Sequence, residues 1–300
     1  MTSTTKKSHH HQEISPFYPK PVFARKIGPV KATFIARPNR FLVVARLNSD
    51  VEQVYGVDRT GDEITAHLAD PGRLKELLVP NTGVYVVLIL PRNSQTTADL
   101  VPAKALKGRK TFYNVVLVEH DGLLVSLDSR LPNELMYEAL KVGFFPELLG
   151  YSHIKREVTF KNSRFDFYLS SWDESLKNDS LCCKSLRDYP SCNATKDCFM
   201  EVKSVTLVED GLAKFPDAPT TRGKRHLKEL AEAVSKGFRA IVIFIIQRCD
   251  ALSFTVNQKM DPEFANALID AMEAGVEVWA YRCHVSLDQI TLETSVPINI

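Results

Sequence analysis

The chain has 300 residues, of which 44% are hydrophobic and 25% are charged, and its formal net charge is +2. This is an ordinary composition for a globular protein, and the length favours two domains over one. The longest strongly apolar run, residues 240–246, is too short to cross a bilayer, so we expect no transmembrane segment and no membrane partner. The distribution of charge is more informative than its small total.

Residues 1–35 are predicted to form a disordered leader. They are rich in Ser, Thr, Lys and Pro, and Glu13 is their only acid. The run His9–His11 can bind metal weakly, but an incidental run is the simpler explanation. No secretory signal is evident, which favours a cytoplasmic location. Import into an organelle is the minor alternative, because the leader is basic but has a poor amphipathic pattern.

Residues 36–128 have a mostly β pattern. Short runs of branched and aromatic residues predict strands at 41–47, 64–68, 83–90 and 111–120. One short helix is predicted at 71–78, with Asp70 as its N-cap and Pro71 at its first position. About five short strands with a single helix favour a small barrel of the oligonucleotide-binding (OB) type.

A mixed α/β pattern follows over residues 129–300. Apolar periodicity predicts helices at 132–142, at 221–236 and from Asp261-Pro262 to Gly275. Strands are predicted at 155–160, 164–169, 199–207, 240–247, 276–281 and 290–292. A polar insert at about 170–197 interrupts the pattern.

Four of the six cysteines lie in one short polar stretch around this insert: Cys182, Cys183, Cys192 and Cys198. Their spacing fits no standard zinc site. A disulfide framework would require secretion, for which no signal is evident. We therefore expect reduced thiols in a variable loop.

Three acids and one lysine stand out against ordinary patterning. Glu138 points along the apolar stripe of its predicted helix, and Asp166 alternates with two phenylalanines in a predicted strand. Glu201 and Lys203 are two residues apart in a strand, so both project to the same face. A charge on a core-facing element is costly unless it is paired or binds a metal. These positions are therefore candidates for a functional site.

The residue types suggest metal-dependent phosphodiester chemistry. Mg²⁺ or Mn²⁺ takes oxygen ligands, so Asp166 and Glu201 are the predicted metal ligands. Such an ion polarises a phosphodiester and lowers the pKa of a bound water. Lys203 beside the ligands is predicted to stabilise negative charge on the phosphate, and Glu138 to extend the set. A structural ion-pair network is the alternative, because Asp and Glu-x-Lys are common.

The segment 163–167 around Asp166, followed by Glu201-Val202-Lys203, resembles the split PD-(D/E)xK signature of restriction-endonuclease-like folds. Over about residues 41–296 the chain is similar to the sugar fermentation stimulation protein family. Matching stretches include residues 67–74, 109–111, 131–133, 138–140, 146–151, 201–207, 215–220 and 222–227. The resemblance implies an OB-like barrel followed by a restriction-endonuclease-like mixed-sheet domain, with DNA as the partner and a link to sugar-utilisation genes. It also implies metal-binding roles for Asp166 and Glu201, a catalytic role for Lys203 and a supporting role for Glu138.

Basic residues supply the predicted contacts with nucleic acid. In the C-terminal half these are Arg222, Lys224 and Arg225, at the start of a predicted helix whose backbone N–H groups also favour anions. In the barrel they are Arg73, Arg109 and Lys110, with Phe112 or Tyr113 stacking on a base. Core packing is the alternative for the two aromatic residues. Phosphate contacts do not encode sequence, so single-stranded DNA and RNA remain alternatives to duplex DNA.

Three functions are compatible with this pattern. The first is a DNA-binding protein with a metal-dependent nuclease core, and the second a non-catalytic regulator that uses the nuclease fold as a scaffold. The third is a structural interaction protein without a nucleic-acid partner. A homodimer is compatible with the fold. Two further residues each have two possible roles. His226 is either a proton carrier or a hydrogen-bonded helix residue. Gln247 either contacts the metal-bound water or metal ligands, or is a buried core amide.

Overall fold

The computed structural model describes residues 19–48, 60–89, 111–171 and 196–300. These residues form an N-terminal barrel and a C-terminal domain built on a seven-stranded mixed sheet. The predicted architecture, an OB-like barrel followed by a mixed-sheet domain, is confirmed. Among the described helices, none has the length and apolarity needed to span a membrane.

Strand β1 (Val22–Ala24) precedes the barrel, which consists of β2 (Val30–Asn39), β3 (Leu42–Leu47), β4 (Glu63–Leu68), β5 (Gly83–Leu88) and β6 (Tyr113–His120). Antiparallel pairs follow the order β4-β3-β2-β5-β6, and parallel pairing of β4 with β6 closes the barrel. Strand β7 (Leu123–Ser126) forms a hairpin with β6. Because side chains alternate along a strand, Val30, Ala32 and Phe34 of β2 all point into the buried interior.

The C-terminal domain begins with helix α1 (Leu131–Lys141) and strands β8 (His153–Phe160), β9 (Ser163–Ser170) and β10 (Cys198–Val205). It continues with β11 (Val208–Glu209), β12 (Leu212–Phe215), α2 (Thr221–Ser235), β13 (Arg239–Ile246), β14 (Ser253–Val256), α3 (Pro262–Glu273), β15 (Glu277–Val285) and β16 (Gln289–Ser295). The main sheet has the order β1-β16-β15-β13-β10-β9-β8, and β11, β12 and β14 form a small second sheet. β13 pairs in parallel with both β10 and β15.

The main sheet separates two apolar cores. Ile241, Ile243 and Ile245 of β13 belong to the core that contains α1, whereas Val242 and Phe244 belong to the core that contains α2 and α3. A central strand covered on both faces needs apolar residues at every position, which explains the continuous apolar run in β13. The sheet itself carries Asp166, Glu201 and Lys203, and the helices on its two faces carry Asn133 and His226.

Two predicted segments differ from the structure. Residues 22–24 and 30–35 of the predicted disordered leader form β1 and part of β2. β1 has only three residues and is held by its pairing with β16, which local patterning cannot show. The predicted helix at 71–78 is absent. Leu74 has a φ of 49°, which a right-handed helix does not allow, and Asp70 Oδ1 instead accepts a hydrogen bond from Gly72 N at 2.8 Å.

Part of the sequence lies outside the described residues. This holds for His9–His11 and for most of the polar insert at 170–197, including three of its cysteines, Cys182, Cys183 and Cys192. Cys198, at the start of β10, is a buried free thiol. Burial raises the pKa of this thiol far above its ordinary range, so it is unreactive in the folded protein.

Candidate functional site

The site lies where strands β9 and β10 separate. Their backbone pairing stops at the Phe167–Met200 pair, and the next free N–H of β10, that of Val202, donates to Asp166 Oδ2 at 2.8 Å. The carboxylate thus takes the place of a backbone carbonyl. Phe167 packs in the core with α1, but Phe165 packs in the core with α2 and α3, so the expected strict alternation around Asp166 is broken. The divergence of the two strands opens a polar site inside the sheet.

Asp166 is held from two directions. Besides the bond from β10, Asn133 of α1 donates its side-chain N–H to Asp166 Oδ1 at 2.7 Å. Burial, followed by the negative charge of Glu201, raises the pKa of Asp166 to about 6. A cation bound beside Asp166 would offset the charge of Glu201 and favour the ionised form of Asp166.

Glu201 is a buried carboxylate with one oxygen engaged and one available. It is 4% exposed. Its Oε1 accepts hydrogen bonds from Lys203 Nζ at 2.6 Å and from His226 Nδ1 at 2.5 Å. Its Oε2 is buried and has no hydrogen-bond partner among the described residues. Burial alone would raise the pKa of Glu201, but the charge of Lys203 and the bond from His226 outweigh burial and lower it. Glu201 is therefore ionised at neutral pH.

His226 is fixed in one tautomer by its neighbours. Arg222 Nε donates to His226 Nε2 at 3.2 Å. A guanidinium has no acceptor, so Nε2 must carry the lone pair and the ring proton sits on Nδ1, which donates to Glu201. The result is a chain Arg222–His226–Glu201–Lys203 that orients the Glu201 carboxylate. Of the two interpretations of His226, the structure supports the hydrogen-bonded helix residue.

The start of α2 carries the predicted phosphate contacts. Thr220 caps the helix, accepting a hydrogen bond from Gly223 N at 3.0 Å. Arg225 is exposed, whereas Lys224 forms an ion pair with Glu263 of α3. Arg222 is exposed too, although its Nε is engaged with His226. Of the three predicted cations, Arg225 thus has the freest side chain and Lys224 is already partly neutralised.

Glu138 lies outside the buried stripe of α1. Its side chain is 40% exposed and pairs with Lys141 one turn along α1, at 2.9 Å. The buried stripe of α1 passes through Leu135 and Ala139 and leaves Glu138 at its edge. The prediction that Glu138 points along the apolar stripe is therefore wrong, whereas its supporting role in catalysis stays a prediction. The α1 residue that contacts Asp166 is Asn133, an uncharged side chain that carried no signal of its own in the sequence.

The barrel aromatics predicted to stack on bases are core residues. Tyr113 is buried in the barrel interior and Phe112 packs against it, so the core-packing alternative holds. Arg73 is exposed beside a pocket at the domain junction. Arg109 and Lys110 lie outside the described residues.

Gln247 follows β13, the neighbour of β10. Its side chain is fully buried and donates to Ser204 Oγ at 2.8 Å. Its Oε1 has no hydrogen-bond partner in the described part of the chain. Gln247 is therefore a core amide with one spare acceptor, and the structure is compatible with both interpretations of it.

Two family models match the chain. The SfsA N-terminal OB domain matches residues 35–127, and the sugar fermentation stimulation protein RE domain matches residues 130–289. The chain belongs to the sugar fermentation stimulation protein family. The family assignment made from sequence motifs is confirmed.

Members of the sugar fermentation stimulation protein family resemble the chain over most of its length. A sugar fermentation stimulation protein homolog of Moorella thermoacetica is 42% identical over 271 residues, which cover 90% of this chain and 96% of that protein. The homolog of Desulforamulus reducens is 38% identical and covers 90% of this chain and 92% of that protein. A solved structure described as Pyrococcus furiosus SfsA in complex with Ca²⁺ has 25% identity and a TM-score of 0.69, covering 97% of this chain and 100% of that one.

Proposed function

We propose that this protein binds nucleic acid and hydrolyses phosphodiester bonds in a reaction that depends on a divalent metal ion. The observation that carries the proposal is the buried carboxylate of Glu201, whose Oε2 has no hydrogen-bond partner among the described residues and whose charge raises the pKa of Asp166. Leaving a buried acceptor unsatisfied costs about 1–3 kcal/mol, and more for a charged group. A bound cation would remove that cost, so the donor set fits a metal ion.

Asp166 and Glu201 are the residues that would hold Mg²⁺ or Mn²⁺. The described residues contain no group of three or more His, Cys, Asp and Glu side chains arranged to bind a metal. Mg²⁺ does not require such a group, because it commonly uses one or two carboxylates together with water and substrate phosphate. When bound, the ion would polarise the phosphodiester and lower the pKa of a water ligand. The Pyrococcus furiosus relative was solved in complex with Ca²⁺, another cation that prefers oxygen ligands.

The protein's own residues would position and stabilise the reacting groups. In hydrolysis, a water oxygen forms the new bond to phosphorus, and the bridging oxygen leaves with its electron pair and takes up a proton. The Lys203 ammonium is only 13% exposed, so its charge is weakly screened and would stabilise the negative charge on the phosphate. Asn133 holds Asp166, and His226 holds Glu201, so neither carboxylate needs to reorganise during the reaction.

Binding of DNA or RNA would place a phosphate near the start of α2. Arg222 and Arg225 are exposed there, and the first backbone N–H groups of a helix attract anions. These contacts would be independent of base sequence and sensitive to salt.

The test is a cleavage assay on single- and double-stranded DNA and RNA with Mg²⁺, Mn²⁺ or EDTA, with binding followed in parallel. We expect product only with metal, and its loss in Asp166→Ala and Lys203→Ala with binding largely kept. Lys214→Ala is a matched control, because Lys214 is also a strand lysine paired with a glutamate, Glu209. Tight binding without product under any metal would reject catalysis and favour the non-catalytic regulator.

A further inference from the structure

A pocket of about 260 Å³ lies where the barrel meets the C-terminal domain, separate from the residues of the metal site. Three of its lining residues are the arginines Arg37, Arg40 and Arg73 of the barrel, and Ala218 lines it from the C-terminal domain. Residues of both domains therefore form this pocket, and arginines outnumber the neighbouring carboxylate of Asp217, whose Oδ2 accepts a hydrogen bond from Arg73 N.

Arg37 builds the pocket rather than offering its charge to a ligand. Its guanidinium donates to the backbone carbonyl of Arg73 at 2.6 Å and to that of Arg40 at 2.9 Å. It thereby ties the β2–β3 hairpin to the loop after β4. From the other domain, Asp217 Oδ2 accepts a hydrogen bond from Arg73 N at 2.8 Å. The backbone on both sides of the pocket is thus fixed before any ligand arrives.

The side chains of Arg40 and Arg73 are exposed. Neither guanidinium forms an ion pair with a carboxylate in the described part of the chain, unlike Lys224 at the start of α2. Two guanidinium groups that form no ion pair within the described residues, at the edge of one pocket, present several N–H donors in a fork geometry that suits phosphate oxygens.

Next to Arg40, Phe41 exposes an aromatic ring at the tip of the β2–β3 hairpin. Phe41 is 52% exposed. Its backbone is held on both sides, because Phe41 N donates to Asn39 Oδ1 at 2.9 Å and Leu68 N donates to Phe41 O at 3.0 Å. Phe41 does not line the pocket itself, but its exposed ring stands on a fixed turn and directly follows Arg40, which does. An exposed aromatic ring next to a cation is the combination that stacks on nucleobases.

We propose that Phe41, Arg40 and Arg73 form a binding site for single-stranded nucleic acid, with an unpaired base on the Phe41 ring and the neighbouring phosphates on the two arginines. This inference rests on the proposed function and adds the substrate class to it. In a duplex the base faces are covered by stacking, so the ring selects for an unpaired base. Ala218 precedes Arg222 by four residues, so their Cα atoms are at most about 14 Å apart. A strand bound in the pocket and longer than this distance could therefore reach the start of α2.

The experiment measures fluorescence anisotropy of labelled oligothymidylate, oligouridylate and a duplex of equal length, in EDTA and over a range of salt concentrations. Phe41→Ala is expected to weaken single-strand binding about fivefold to 150-fold, with an unchanged salt slope, since base stacking is uncharged. Phe41→Trp should restore the affinity. Arg40→Ala and Arg73→Ala should each reduce the slope of log K against log salt by about 0.7.

Two control variants lie outside the pocket: Leu287→Ala removes a partly exposed apolar side chain from the β15–β16 turn, and Lys236→Ala removes a positive charge at the end of α2. Leu287→Ala should not weaken single-strand binding as Phe41→Ala does, and Lys236→Ala should not reduce the salt slope as Arg40→Ala and Arg73→Ala do.

Unchanged binding by Phe41→Ala, while the wild type still cleaves nucleic acid with metal, overturns this site and leaves the proposed function intact. Equal loss of duplex binding in Phe41→Ala overturns the single-strand assignment. A wild type that neither binds nor cleaves any probe overturns both proposals. The relative affinities for the two single strands identify DNA or RNA as the preferred ligand.

Discussion

Asp70 is a buried acid at the junction of the two domains, and the substitution Asp70→Asn isolates the effect of its charge. The residue is 7% exposed, and its Oδ1 accepts a hydrogen bond from Gly72 N at 2.8 Å, which an asparagine oxygen can also accept. Burial raises the pKa of Asp70 from its ordinary value of 3.8 to about 6, with Asp217 and Glu76 adding repulsion. The substitution therefore removes the charge and keeps the shape and the hydrogen bond.

The sign of the pH effect follows from the raised pKa. The folded protein holds the Asp70 proton more tightly than the unfolded chain does. This tighter proton binding adds to the free energy of unfolding. The added stability is fully present below about pH 3.8 and is lost as the pH rises through about 6. At about 1.36 kcal/mol for each pH unit between the two pKa values, ionised Asp70 destabilises the wild type by about 3 kcal/mol. The stability advantage of Asp70→Asn should therefore grow from about 1.5 kcal/mol near pH 5 to about 3 kcal/mol near pH 8.

Urea unfolding followed by tryptophan fluorescence at several pH values measures this difference. Asp210→Asn is the matched control, because it removes one negative charge from an exposed turn, at a φ of 51° that asparagine tolerates. The free energy of unfolding of Asp210→Asn should match that of the wild type at every pH. A gap between Asp70→Asn and the wild type that stays constant with pH would refute the assignment of the destabilisation to the buried charge.

Three further substitutions test other contacts. His226→Phe removes a donor to Glu201, so we expect a loss of about 2 kcal/mol in urea unfolding and weaker Mn²⁺ binding by calorimetry; unchanged Mn²⁺ affinity would contradict its positioning role. Gly72→Ala should destabilise the protein by about 1–3 kcal/mol, because the added Cβ would lie 2.1 Å from Asp217 Oδ2, and Asp217→Ala in the same chain should relieve that clash. Strictly additive effects in this double-mutant cycle would count against the contact. Glu138→Ala removes only an exposed ion pair, so cleavage should be unchanged and the stability loss below about 1 kcal/mol; abolished cleavage would restore its predicted catalytic role.

Several features of the site were predictable from local rules. Glu201 and Lys203 share a face because side chains in a strand repeat every two residues, and the structure joins them at 2.6 Å. Helix α2 was predicted from its apolar periodicity and from Gly237, whose φ of 91° ends the helix. The position of Glu138 failed because its helical spacing was compatible with both the edge and the centre of the apolar stripe, and only the packing of α1 decides between them.

The sequence by itself determined the change from a β barrel to a mixed α/β domain, the three helices of the second domain and the longer strands, because periodicity, caps and turn residues act over a few neighbouring positions. Contacts between distant segments were decided only by the tertiary structure. Asp166 meets Val202 across 36 positions of sequence, and His226 reaches Glu201 across 25. Likewise, only the folded protein buries Oε2 of Glu201 without a hydrogen-bond partner in the part of the chain that the structure describes. Such contacts depend on strand order and on where neighbouring strands separate, and no local pattern encodes either of these.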